Sequence, residues 1–309
     1  MEVMTAGAQK EIAYLTKYGQ PLHPFQRLRR EWVDFQRQSP STHVDHLKKY
    51  LHVVPCLVPQ SKQDIARPTL RHPDFQPSNV FVSDNLEITG LIDWQHCTIL
   101  PLFLQSGIPR SFQNYGDEIS ESLTVPRLPK DYDEQNDVDQ FERFRKRQIH
   151  YHYAMETKAL NPTYGEALTN YSCILSRKLF DHAKVPWEAD NITLAADLIE
   201  LIQLWPNLNF SLPPFSSQSR CPIEFSESES SEISRLATGM EEADRTLRVS
   251  LDSIGAASEG WVPVERYEAS RQCGERLKAN VLGARDTEEE REHICEHWPF
   301  SDFDEGEYD

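Results

Sequence analysis

The chain has 309 residues, 39% hydrophobic and 10% aromatic, enough to bury a sizeable core as one large or two modest domains. With 49 acidic against 32 basic residues the formal net charge is −17, which argues against non-specific binding to nucleic acid or anionic membrane, since both need concentrated positive charge. Six scattered cysteines without a Cys-x-x-Cys pair, no signal peptide and no apolar run of membrane-spanning length point to free thiols in a reducing compartment and to no membrane span.

Helices are expected first at 5–18, 25–36 and 40–55. In the last, Val44, Leu47, Leu51 and Val54 recur at helical spacing behind a Ser39-Pro40 start. Then comes His72-Pro73-Asp74-Phe75-Gln76-Pro77-Ser78-Asn79, followed by two runs rich in β-branched and apolar residues around a polar Asp84-Asn85 turn and ending at Leu91-Ile92-Asp93-Trp94. These runs predict a short antiparallel hairpin. Residues 98–116, punctuated by Pro101, Gly107, Pro109 and Gly116, read as a loop over it. Helices follow at 134–160, 164–182 and 191–204. His150 and His152 cannot share a face at i and i+2, so packed or surface roles are expected for them. The basic run Arg143 to Arg147 reads as a solvated helix face.

Prolines and serines interrupt the pattern at 206–228. Beyond them, Ile233, Leu236, Met240, Ala243, Leu247, Leu251 and Ile254 step by threes and fours, a seam for a helical hairpin whose second arm runs from about 264 to 284. The two arms pack on each other, or residues 229–284 receive a partner's helix. His293 and His297 share a face while Cys295 points elsewhere, so no zinc site is expected. An acidic tail closes the chain.

The hairpin carries the chemistry. Folding it back brings Asp93 toward Asp74 and Asn79, so that two carboxylates and an amide converge on a small volume. Hard oxygen ligands of this kind suit Mg²⁺, and the arrangement points to phosphoryl transfer, where the protein positions groups and neutralises charge. Asp74 is placed to accept or orient a hydroxyl proton, Asn79 offers a neutral oxygen to a metal, and Asp93 can bridge metal to phosphate oxygens. His72 reads as a bracket for the loop. The competing reading makes Asp74 and Asn79 simple turn formers beside Pro73 and Pro77.

The pattern His72-x-Asp74 with Asn79, a hairpin and Ile92-Asp93-Trp94 resembles the catalytic segment of the aminoglycoside phosphotransferase and choline kinase superfamily, which has a protein kinase-like fold. Arg67 to Asp74, Gly90 to Tyr115 and His297-Trp298-Pro299-Phe300 resemble the fungal altered inheritance of mitochondria group. Pro73 stands where the wider superfamily commonly has Gly, and Gln76 and Gln95 where many relatives carry charged residues. The resemblance implies ATP and Mg²⁺ as cofactors, Asp74 as catalytic base, and Asn79 and Asp93 as metal and nucleotide-binding ligands. It also implies a small-molecule substrate and a mitochondrial location. No Arg-rich amphipathic presequence is visible at the start, and without the resemblance a cytoplasmic location is expected.

The 71 residues ahead of His72 lack the strands, Gly-rich loop and phosphate-pairing lysine of the superfamily's smaller lobe. The expected architecture is therefore α+β, mainly α. A kinase-like C-terminal lobe at 1–205, without its ATP-gripping partner lobe, is followed by a linker at 206–228, a helical hairpin appendage at 229–300 and a tail at 301–309. Phosphate transfer by this chain is expected to be weak or absent. The alternative is a non-catalytic scaffold that uses the helical C-terminal region.

Overall fold

A computed structural model describes residues 1–59, 63–129, 138–208, 220–256 and 260–301. The linker expected at 206–228, the helix expected from 134 and the tail expected at 301–309 lie partly outside them, the tail in all but its first residue. The described residues are mainly helical with two small antiparallel strand pairs, an α+β fold dominated by α. They divide into two compact units: Met1–Val3, Val53–Asp181 and Leu204–Arg220 in the first, Met4–His52, His182–Gln203 and Cys221–Asp309 in the second.

In chain order the helices begin with α1 (Glu2–Tyr18) and α2 (Pro40–Leu57), the latter starting at the expected proline. Val44, Leu47, Tyr50, Val53 and Val54 of α2 are buried, as its periodicity requires. The helix expected at 25–36 is instead two 3₁₀ turns, Arg27–Arg29 and Glu31–Val33, ended by Asp34 and Phe35 at φ 49° and 54°. Side-chain bonds override helical propensity here. Gln26 accepts from the Arg29 N–H at 3.1 Å, and buried Arg30 donates its Nε to the Pro24 carbonyl at 2.9 Å.

The first unit holds both strand pairs. β1 (Pro68–Leu70) pairs with β4 (Ile99–Pro101), and β2 (Val80–Val82) with β3 (Ile88–Leu91) in the expected hairpin. Its register shifts between Phe81 and Val82, and the turn is closed by Ser83 N–H to the Glu87 carbonyl at 2.9 Å. The segment 98–116 is not only a loop. After β4 it forms α3 (Leu102–Gln105), whose Leu102, Phe103 and Leu104 are buried together with Ile108. The apolar run Leu102-Phe103-Leu104 drives it inward.

Next in the chain are α4 (Glu118–Glu121), α5 (Val138–Leu160), α6 (Pro162–Thr169) and α7 (Tyr171–Lys184). The single helix expected at 164–182 is thus two, broken at extended Asn170, whose Oδ1 accepts the Cys173 N–H at 3.3 Å. α5 and α6 cross closely: a Cβ on Gly165 would lie 2.6 Å from the Lys158 Cα.

In the second unit α8 (Thr193–Leu204) is capped by Asp190, which accepts from the Ile192 and Thr193 N–H groups at 2.8 and 2.9 Å. α9 (Glu227–Ile254) starts in a Ser226–Glu229 capping box and stops at left-handed Gly255. α10 (Tyr267–Gly283) follows, then a further helix, α11 (Glu288–Glu296), capped by Thr287. The expected seam on α9 is buried at Ile233, Leu236, Met240, Ala243 and Leu251 and half-buried at Leu247 and Ile254, but its first half packs elsewhere than on α10. Ile233, Leu236 and Met240 form one cluster with Ile192, Ala195 and Ile199 of α8 and its lead-in, with Trp32 beside them. Farther along, α10 meets α9 through the Cys273 Sγ and the Ser253 carbonyl, 3.4 Å apart.

Candidate functional site

The site residues belong to the first unit, on the loop entering β2 and the strand leaving β3. A 3₁₀ turn at Pro77–Asn79 follows the loop, with proline at its first position, and delivers Asn79 directly into β2. Pairing of β2 with β3 then places Ile92 opposite Asn79, and the Ile92 N–H reaches the Asn79 carbonyl at 3.1 Å.

His72 brackets this arrangement. Its Nε2 lies 2.6 Å from the Ile92 carbonyl, and its Nδ1 accepts the Asp74 N–H at 3.2 Å. A carbonyl only accepts and an amide N–H only donates, so the neutral Nε2–H tautomer is the one that satisfies both bonds. The Trp94 ring packs edge-on to His72, 4.8 Å between centroids, and the Trp94 indole N–H donates to the Leu91 carbonyl at 3.1 Å. Both ends of the hairpin are thereby tied to the loop.

Asp74 and Asn79 touch directly. The Asn79 amide donates to the Asp74 carbonyl at 2.9 Å and to its Oδ2 at 3.2 Å, and Gln76 donates to the same Oδ2 at 2.5 Å. Two acceptors on the Asp74 side orient the amide, so that Nδ2 faces them and Oδ1 is left over. Among the described residues Asn79 Oδ1 and Asp74 Oδ1 have no hydrogen-bond partner, although Asn79 is buried. Asp93 comes next after Ile92, so its backbone adjoins the pair. Its carboxylate is exposed and contacts neither Asp74 nor Asn79 by a hydrogen bond. Asp93 has φ of 64°, a left-handed conformation that aspartate tolerates better than most residues and that is worth notice at a candidate site.

Sequence reasoning missed what anchors the loop from behind. Arg71 donates Nη1 to the Gln105 and Gly107 carbonyls, the latter at 3.0 Å, and Nη2 to the Tyr153 hydroxyl at 2.9 Å. Its guanidinium also lies 4.7 Å from the Tyr164 ring centroid. Tyr164 in turn donates to the Gly107 carbonyl at 2.7 Å, and burial pushes its hydroxyl well above the usual tyrosine range. An aromatic series from Phe75 to Phe112 to Tyr153, at 5.8 and 5.5 Å, runs alongside. A planar arginine beside the motif histidine is the one sequence signal that could have flagged this anchor.

Two other expectations concern histidines and the basic run. His150 is buried and accepts the Asn114 N–H at 3.0 Å, with its proton affinity lowered by burial, whereas His152 is exposed. Arg145 pairs with Glu142 at 2.9 Å and Arg147 with Asp117 at 2.6 Å, so much of the basic run is neutralised by carboxylates of its own unit. In the second unit the ligand atoms of His293, Glu296 and His297 lie within 4.8 Å of one another. His297 Nδ1 is 3.1 Å from the Arg30 guanidinium and must accept from it. The ring proton then sits on Nε2, which leaves no lone pair for a cation, and burial lowers the proton affinity of His297. Cys295 is exposed and is not among these three residues.

Hard, neutral or anionic oxygens that lack protein partners, held beside a positioned carboxylate, are what a divalent cation and a phosphoryl group require. Residues 8–103 match the phosphotransferase enzyme family. That match contains His72, Asp74, Asn79 and Asp93. The chain is 27% identical over 309 residues to a subtelomeric hrmA-associated cluster protein of Aspergillus fumigatus, covering 98% of this chain and 58% of that one. It is 22% identical over 219 residues to the protein named altered inheritance of mitochondria protein 9, mitochondrial, of Kluyveromyces lactis, covering 69% of this chain and 33% of that one. The namesake from Vanderwaltozyma polyspora is 23% identical over 208 residues, 66% of this chain and 30% of its own. The chain thus spans little more than half the length of the Aspergillus relative and about a third of the others. No solved structure matches it. No helix among the described residues is long and apolar enough to cross a membrane.

Proposed function

We propose that the segment from His72 to Asp93 serves Mg²⁺-dependent transfer of the ATP γ-phosphate to a small-molecule hydroxyl. One observation carries this reading: the Asn79 amide is turned by Asp74 so that its oxygen has no protein partner and stays accessible. That oxygen is not one of the fully buried unpartnered atoms, so it remains open to an incoming ligand, and a hard cation is one that takes neutral amide oxygens. Asn79 Oδ1 and the Asp93 carboxylate would hold the metal, and the exposed Asp93 side chain forfeits no protein bond in doing so. When bound, metal and nucleotide supply charge neutralisation and the transferable phosphoryl group.

The chain's own residues do the positioning. Gln76 and Asn79 both donate to Asp74 Oδ2, which fixes the carboxylate and leaves Oδ1 to orient the substrate hydroxyl or take its proton. His72 moves no proton, because both of its ring nitrogens are committed within the loop. Ahead of β1 the described residues form helices, 3₁₀ turns and one isolated bridge, Leu22 to Gln38, rather than a stranded phosphate-gripping lobe. We therefore read nucleotide affinity of this chain by itself as weak.

Titration of a fluorescent ATP analogue with and without Mg²⁺ tests both statements. Binding in the millimolar range with a Mg²⁺-dependent part is expected; Asp93→Ala removes that part and leaves the thermal melt nearly unchanged. Micromolar affinity would overturn the weak-binding statement, and a Mg²⁺ response that survives Asp93→Ala would overturn the metal assignment. The mitochondrial names of the Kluyveromyces and Vanderwaltozyma relatives support a mitochondrial location here, for which organelle fractionation is the test.

A further inference from the structure

The second unit contains a groove that the phosphotransfer reading does not use. It lies between the end of α9, one face of α10 and the segment after α11, with a volume of about 520 Å³. Small-molecule sites span roughly 300–1,000 Å³ and are mostly apolar with a few placed polar groups. Ile254, Val262, Tyr267 and Trp298 supply the apolar walls, and Gly274 and Lys278 lie one turn apart along α10.

Two features point to a ligand. Gly274 sits in the helix interior, where glycine is disfavoured, yet nothing lies within 4 Å of where its Cβ would be. Packing therefore does not demand glycine there, in contrast to Gly239, whose Cβ would meet the Trp32 ring at 2.1 Å. What the missing side chain leaves is open volume in the groove floor. The second feature is charge. In a chain of net charge −17, Lys278 has no carboxylate partner among the described residues, and its ammonium lies 5.7 Å from the Trp298 ring centroid. Arg271, also on the rim, is held by Glu268 at 2.7 Å and by Glu275, so it is not available in the same way.

We propose that this groove binds a small apolar carboxylate, with its hydrocarbon part over Gly274 between Tyr267 and Trp298 and its carboxylate on Lys278. An apolar chain matches the walls at Ile254, Val262, Tyr267 and Trp298, and a single anionic head matches Lys278, the one lining cation without a carboxylate partner among the described residues. The site is independent of the catalytic segment and of the reaction proposed for it.

Calorimetric titration of the full chain with decanoate, and with decanol as the uncharged counterpart, at constant ionic strength and below micelle formation, tests the proposal. Saturable one-site binding of decanoate is expected. Lys278→Met weakens decanoate about tenfold and leaves decanol unchanged. Gly274→Leu fills the floor and abolishes binding of both, while Gly274→Ala, too small to fill it, binds as the parent does. Far-UV circular dichroism and the melting temperature stay at or above the parent's in the Gly274 variants, because the position is open. Absence of saturable binding, binding that survives Gly274→Leu, or a Gly274→Leu melt below the parent's would each overturn the site.

Discussion

His43 makes the fold of the second unit acid-sensitive, and the size of the effect follows from its surroundings. The ring is buried on α2, 5% exposed, stacked toward Trp187 with centroids 6.5 Å apart, and neither ring nitrogen has a hydrogen-bond partner. Burial pushes its pKa down to about 4; neighbouring His46 pushes the same way, while Asp190 opposes. His46, one turn on, is lowered too, again first by burial. The folded state thus holds His43 neutral where the unfolded chain would protonate it near the ordinary histidine value of about 6.5. Stability from this group is complete above that value and is lost as the pH falls toward about 4. A shift of roughly 2.5 units corresponds to about 3 kcal/mol, of which about 2.5 kcal/mol is lost between pH 7.5 and 4.5. Urea unfolding of the parent and of His43→Leu at both pH values measures it. Leucine has no proton to take up, so the variant's pH-dependent loss should be smaller by about 2 kcal/mol or more. Equal losses in the two proteins would refute the reasoning.

Three further perturbations follow. Gly239→Ala drives a methyl into the Trp32 ring at 2.1 Å, against a ring that is itself packed, and should cost about 1–3 kcal/mol in a thermal or urea melt. Arg71→Met removes the bonds to Gln105, Gly107 and Tyr153 that anchor the loop from His72 to Asn79, a loss of roughly 2–4 kcal/mol; hydrogen exchange should quicken at the Asp74 and Asn79 amides before it quickens in α8. Ser226→Ala deletes the cap that accepts the Glu229 N–H at 3.2 Å and should lower stability by about 1 kcal/mol, with Ser226→Thr restoring most of it.

Features set by neighbours in the chain were legible in the residues themselves. The Asp84-Asn85 hairpin, the proline-started α2 and the buried periodic face of α9 depend on turn chemistry, capping and side-chain spacing, which act over a few positions. The hydrogen bond of Asn79 to Asp74, five positions apart, is local in the same sense, whereas His72 reaches the Ile92 carbonyl 20 positions on, across the hairpin. Contacts that join distant positions were decided by tertiary structure alone. Arg71 reaches partners 34, 36 and 82 positions away, and the first half of the α9 seam packs with α8 rather than with the next helix in the chain. The arginine-rich stretch at 27–30 gave up a helix because Arg29 found Asp190 and Asp244, at 2.8 and 2.6 Å, and Arg30 found the Pro24 carbonyl. Periodicity reports that a face will be buried and which residues form it. The partner that covers it is set by the summed free energy of packing and pairing across the whole unit, which no local stretch contains.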